Sequence, residues 1–68
     1  MDQALNDKIE GLIDAHGLTA VITAISEVCY AKADHIEENW QDSVTARPWR
    51  QLGARIDTLS GVSKKAGI

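Results

Sequence analysis

Few side chains in this sequence have the reactivity that catalysis or metal binding requires. The chain contains one cysteine, Cys29, and two histidines, His16 and His35. Cys29 and His35 are six residues apart, so on one helix they point in different directions, and no group of Cys and His has zinc-site spacing. A di-iron site built on helices needs a Glu-x-x-His motif on each of two helices, and that pair is missing. We therefore expect no metal ion and no cofactor.

The possible nucleophiles also lack a catalytic setting. Ser26, Ser43 and Ser60 do not occupy the sharp glycine-flanked turn that exposes a nucleophilic serine. No glycine-rich loop for binding phosphate is present. Cys29 lies on an apolar stripe, where a thiol usually acts as a small buried hydrophobic group. The sequence predicts no catalytic residue and no enzymatic activity.

Length and composition limit how stable a single copy can be. A chain of 68 residues forms one domain and buries only about 60% of its unfolded surface, so its core gives marginal stability. A single cysteine excludes a disulfide within the chain and is typical of a reducing compartment. Charged residues interrupt the N-terminal segment, and no run approaches the roughly 20 apolar residues of a membrane span. We expect a cytoplasmic protein with no membrane partner.

Helical periodicity predicts two helices in the first 40 residues. In the first, Leu5, Ile9, Leu12 and Ile13 share one side, and Gly17 ends the helix after a start near Asp2 or Asn6. Thr19 is expected to cap a second helix of about 22 residues, on the order of 33 Å long. Nine residues mark its apolar stripe: Leu18, Val21, Ile22, Ile25, Val28, Cys29, Ala33, Ile36 and Trp40.

A third helix is predicted to start at Ala46 after Thr45, because Pro48 would then lie in the first turn, where its missing N–H is tolerated. Trp49, Leu52, Ile56 and Leu59 repeat at spacings suited to packing against another helix. Ser60 and Gly61 should end this helix. The prediction is thus one helical domain over residues 1–61 and a flexible tail over 62–68.

Short connections favour helices that fold back on each other, so the expected fold is all-α, with the third helix antiparallel to a long central one and the first across its start. The central stripe needs more cover than two short helices supply, which predicts a homodimer. Trp40 and Trp49 are either core anchors or an exposed aromatic pair at an interface. The candidate interface residues are Ile25, Ile36, Trp40, Trp49, Leu52 and Ile56.

Two charged groups complete the candidate sites. Asp34, Glu37, Glu38 and Asp42 form an acidic patch, either a solvated face or a docking surface for a basic protein partner. A second set of charges, Arg47, Arg50 and Arg55, gives the third helix a basic face that could meet the acidic patch across a dimer. A net charge of −3 disfavours nucleic acid as a partner.

The stretch from Gly17 to Trp49 resembles short uncharacterised all-helical proteins encoded by bacteria and their phages. The residues that carry the resemblance are Cys29, Tyr30, Lys32, Ala33, His35, Ile36, Asn39, Trp40, Gln41, Asp42, Ala46 and Trp49. It implies a small accessory protein of bacterial or mobile-element origin and brings no catalytic residue with it.

From these features we expect a self-associating module for protein–protein interaction or regulation. One alternative is an acidic phage-type inhibitor that blocks a basic site on a host protein. The other is a helical DNA-binding regulator, for which the acidic net charge is unfavourable.

Overall fold

The computed structural model of the protein describes residues 2–68, which form three α-helices. The helices are α1 (Gln3–His16), α2 (Leu18–Trp40) and α3 (Ser43–Lys65). No strand occurs between residues 2 and 68. The predicted all-α fold is confirmed, and so is the long, uninterrupted central helix.

Both predicted ends of α1 are found in the structure. The Asp2 side chain caps the helix by accepting a hydrogen bond from the backbone N–H of Leu5 at 3.2 Å. At the other end Gly17 has a φ of 88°, a conformation that costs glycine little because it has no Cβ. The same glycine precedes α2 directly, so a single residue joins the two helices.

Two predicted boundaries after α1 are wrong. Thr19 does not cap α2, which has no side-chain cap; its hydroxyl bonds to Ser63 and to the carbonyl of Ile68 instead. The third helix starts at Ser43 rather than Ala46, because the carboxylate of Asp42 accepts a 3.0 Å hydrogen bond from the N–H of Thr45 and caps the helix there. Pro48 therefore lies inside α3, beyond its first turn.

The predicted end of the third helix at Ser60 and Gly61 is also wrong. The helix continues to Lys65, four residues into the segment expected to be a tail. Beyond it the carbonyl of Ile68 accepts hydrogen bonds from both the hydroxyl and the N–H of Thr19, at 2.8 and 3.3 Å. This long-range contact holds the C-terminal turn against the start of α2.

Small residues form the contact between α2 and α3, which run antiparallel as predicted. The pair is fixed at one end by the 2.6 Å hydrogen bond between Thr19 and Ser63, and in the middle by a 2.7 Å bond from the Ser26 hydroxyl to the carbonyl of Gly53. A Cβ built on Gly53 would lie 3.3 Å from the Cβ of Cys29. We call this contact the small-residue seam; its buried members are Ser26, Cys29, Ala33, Ala46, Gly53 and Ser63.

The first helix stands apart from this pair. It bends away from α2 by 117° at Gly17, its backbone comes close to α2 but not to α3, and it has no buried residue. Between residues 2 and 68 no single helix has both the length and the apolar character of a membrane span; α1 and α2 reach them only if the bent pair is counted as one.

Candidate functional site

The described residues form an open apolar groove. It has a volume of about 660 Å³ and lies where α1 meets the α2 and α3 pair. Its lining is almost entirely apolar and comes from all three helices: Leu12 and His16 of α1, Ala20, Val21, Ala24, Ile25, Val28 and Cys29 of α2, and Trp49 of α3. A groove of this kind suits an apolar protein surface better than a charged ligand.

Large apolar side chains in the groove wall remain open to solvent. Ile25 is 44% exposed and Val28 is 56% exposed, although both lie on the predicted apolar stripe of α2. The reason is the small-residue seam: Ser26 and Cys29 occupy the line of contact with α3, and one residue along a helix turns the side chain by about 100°. The larger neighbours are therefore turned to the side of the contact.

The apolar surface continues along α3. Leu52 and Leu59 are each more than half exposed, and Ile56 is partly exposed. They follow Trp49 at spacings of three, four and three, which place them on the same side of the helix as the groove-lining Trp49. The groove and this side of α3 together form one continuous apolar face, which we call the apolar face.

The six predicted interface residues are divided among different places. Ile25 and Trp49 lie in the groove wall, Leu52 and Ile56 extend it along α3, and Ile36 is partly buried further along α2. Trp40 lies outside the groove and is 75% exposed, so the interpretation of this side chain as a core anchor is wrong. Trp40 is the last residue of α2 and lies beyond the small-residue seam, whose last α2 member is Ala33.

Salt bridges within the chain neutralise part of the acidic patch. The guanidinium of Arg50 contacts Asp34 at 2.9 Å and also pairs with Glu37. These two salt bridges join α3 to α2. These hydrogen bonds raise the pKa of Arg50 above its ordinary value. The basic and acidic residues expected to meet across a dimer therefore already meet, in part, inside one copy.

The remaining two residues of the patch have different settings. Glu38 is exposed, whereas Asp42 is partly buried at the start of α3. The hydroxyl and the N–H of Thr45 both donate to the Asp42 carboxylate, and these bonds lower the pKa of Asp42. Asp42 thus has a clear structural role as a helix cap.

Sequence reasoning missed the contribution of α1 to the site. The apolar residues of α1 were expected to pack across the start of α2, yet Leu5, Ile9 and Leu12 are all exposed. Leu12 and His16 form one wall of the groove. The spacings of four and seven residues among Leu5, Ile9 and Leu12 showed that these side chains share one face of α1. They did not show that this face remains exposed to solvent.

The residues considered for chemistry remain separate. Cys29 is buried, which confirms its interpretation as a small packed side chain. His35 is exposed on α2, where its ring nitrogen lies 3.1 Å from the side-chain amide of Asn39. Across residues 2–68 no three side chains of His, Cys, Asp or Glu come together as a metal ion would need.

Comparison of the chain with protein-family models, with curated proteins and with solved structures finds no match.

Proposed function

We propose that this protein is a non-catalytic, self-associating module for protein–protein interaction, and that the apolar face is the surface through which two copies join. A cytoplasmic setting fits the single reduced cysteine and the acidic composition.

The observation that carries the proposal is the lack of a large apolar core in one copy. In the described part of the chain no large side chain is fully buried, and the buried hydrophobic residues are Cys29, Ala33 and Ala46. These are small side chains in a chain whose composition is 44% hydrophobic. Burying one Leu, Ile or Val side chain contributes about 1.5–3 kcal/mol, and side chains such as Val28 and Leu59, which are 56% and 55% exposed, realise only about half of it in a single copy.

The surface area supports the same proposal quantitatively. The chain exposes 5274 Å². A compact monomer of 7.4 kDa exposes roughly 4,200 Å², so one copy has an excess of roughly 1,100 Å². A stable protein–protein interface removes about 800 Å² from each partner. The excess is thus sufficient for a dimer interface of standard size.

The two alternatives from the sequence gain no comparable support. An acidic inhibitor would present its carboxylates to a basic partner, but Asp34 and Glu37 are paired with Arg50. A DNA-binding regulator would present arginines to phosphate, but Arg50 is paired with Asp34 and Glu37.

Sedimentation equilibrium over micromolar to millimolar concentrations tests the proposal. We expect a mass twice the 7.4 kDa of one chain. Val28→Glu places a charge in the groove at a side chain that is already half exposed, so the fold should survive and the dimer should dissociate. Gln51→Glu is the matched control, because it adds the same charge at an exposed α3 position away from the groove lining.

A wild-type protein that stays monomeric at every concentration would overturn the proposal. A dimer that survives Val28→Glu as well as Gln51→Glu would show that association uses a surface other than the groove. Circular dichroism of each variant should give unchanged helix content, so that loss of association is not confused with unfolding.

A further inference from the structure

The first helix is an arm whose apolar side remains uncovered in its own chain. Leu5 is 52% exposed and Ile9 is 38% exposed, and no residue of α1 is buried. The 117° bend at Gly17 directs the helix away from the hairpin of α2 and α3, and within residues 2–68 the backbone of α1 comes close to α2 but not to α3. A 14-residue amphipathic helix with so little packing is only marginally stable in water, so it needs a second surface.

The arm and the groove match each other in chemistry and in length. Leu5 and Leu12 are seven residues apart and lie on the same side of α1, and Leu12 already lines the groove. The stripe from Leu5 to Leu12 therefore extends from the groove wall outwards over about 10 Å. The α2 wall of the groove from Val21 to Val28 also covers seven residues, so it is long enough to receive the part of the stripe formed by Leu5 and Ile9.

We infer that two copies exchange their arms: α1 of each copy lies in the groove of the other, with the stripe of Leu5 and Ile9 against the wall formed by Val28 and Trp49. This inference rests on the proposed self-association and identifies the occupant of the groove as a second copy of this chain. A two-fold axis makes the exchange reciprocal, because each copy then donates one arm and accepts one.

The other two helices are poor candidates for the occupant. The small-residue seam and its buried hydrogen bond from Ser26 to Gly53 hold α2 and α3 together, so neither can enter a groove as a single helix. Among the described residues α1 is the helix that projects alone with an exposed apolar stripe. One arm and one groove in each copy satisfy each other in a closed dimer.

The double variant Leu5→Gln with Ile9→Gln tests the exchange. Glutamine keeps a helix propensity close to that of leucine, so the arm stays helical while its stripe becomes polar. We expect the dimer dissociation constant to rise by roughly a hundredfold or more, because four large apolar side chains per dimer lose their burial. Asn6→Gln with Glu10→Gln is the control, since it makes the same replacements one residue further along the same helix and should leave the constant unchanged within about threefold.

The results separate this inference from the proposed function. If the wild type is a monomer, both fail. If the wild type is a dimer that Val28→Glu dissociates but the Leu5 and Ile9 variant does not, self-association through the groove stands and the exchange is refuted.

A photoreactive amino acid at Leu5 gives a direct readout of the contact. In a mixture of ¹⁵N-labelled and unlabelled chains, we expect cross-links between chains that end in the α2 segment containing Val28 or the α3 segment containing Trp49. Cross-links between chains that end only at the Leu5 end of α1, away from the groove-lining Leu12 and His16, would show arms packed against each other, and cross-links confined to one chain would show that the arm folds back. Either result overturns the exchange.

Discussion

At the scale of single residues, small side chains allow α2 and α3 to pack closely against each other. Gly53 allows the Cβ of Cys29 and the ring of Tyr30 to approach to 3.3 Å from the place its own Cβ would occupy. The same close approach brings the Ser26 hydroxyl to 2.7 Å from the Gly53 carbonyl, which satisfies a buried polar group. Large apolar residues are then left beside the seam, where a partner can reach them.

Gly53→Ala should gain nothing in stability, although glycine inside a helix usually costs about 0.5–1 kcal/mol relative to alanine. The added Cβ would press on Cys29 and on the carbonyl of Ser26, which lies 3.4 Å away and belongs to rigid helix backbone. Gly61→Ala is the control in the same helix, because nothing lies within 4 Å of a Cβ at Gly61. Urea unfolding should show Gly61→Ala stabilised by about 0.5–1 kcal/mol and Gly53→Ala unchanged or destabilised. Equal gains in both variants would contradict the close contact at Gly53.

At the scale of helices, the sequence predicted each element but only some of their boundaries. Asp2 and Gly17 are strong local signals, and α1 begins and ends where they predict. The predicted start of α3 at Ala46 was chosen so that Pro48 would lie in the first turn. The helix instead starts three residues earlier, at Ser43, because Asp42 caps it there. Local signals compete, and the sequence alone does not rank the Asp42 cap against the cost of an interior proline.

Other features depend on contacts between distant residues and could not be predicted locally. The C-terminal segment is bound through Thr19, which lies 49 residues from Ile68 in the sequence. The candidate site was predicted in part, because helical periodicity placed Ile25, Trp49, Leu52 and Ile56 on the apolar sides of their helices. Periodicity marks large side chains, so it could not reveal that small ones form the contact or that α1 forms a wall of the groove.

The cap at the start of α3 should make stability depend on pH. Because hydrogen bonds from Thr45 lower the pKa of Asp42, its contribution to stability is present above the unfolded-state pKa of about 3.9 and is lost as pH falls through the lower folded-state value. Asparagine caps helices about as well as aspartate but does not titrate here. As the pH falls from neutral to values below the unfolded-state pKa of the Asp42 carboxyl, the wild type should therefore lose stability relative to Asp42→Asn.

Thermal midpoints of both proteins at one chain concentration measure this shift. Thr45→Val removes the hydroxyl, which is the largest cause of the lowered pKa, and should reduce the pH dependence while Asp42 remains in place. A difference between wild type and Asp42→Asn that stays constant with pH would refute the assignment of this carboxylate as a charged cap.

At the scale of the whole molecule, one copy is too extended for its length. Its radius of gyration is 13.8 Å. A compact domain of 68 residues has a radius of roughly 11 Å, and one of twice that length has roughly 14 Å. The projecting arm and the open groove account for the extension, and reciprocal docking of both would convert two open chains into one compact body.

Stability should therefore depend on protein concentration. Because association stabilises the folded chain and not the unfolded one, mass action raises the midpoint of thermal unfolding with concentration. With an unfolding enthalpy of about 0.7 kcal/mol per residue, summed over two chains, each tenfold rise in concentration should raise the midpoint by roughly 5 °C. Calorimetry of the wild type over a hundredfold range measures this slope, and Val28→Glu should have a lower midpoint that does not change with concentration. A wild-type midpoint that is also independent of concentration would mean that one copy is stable alone, and the exposed apolar face would then have no role in folding.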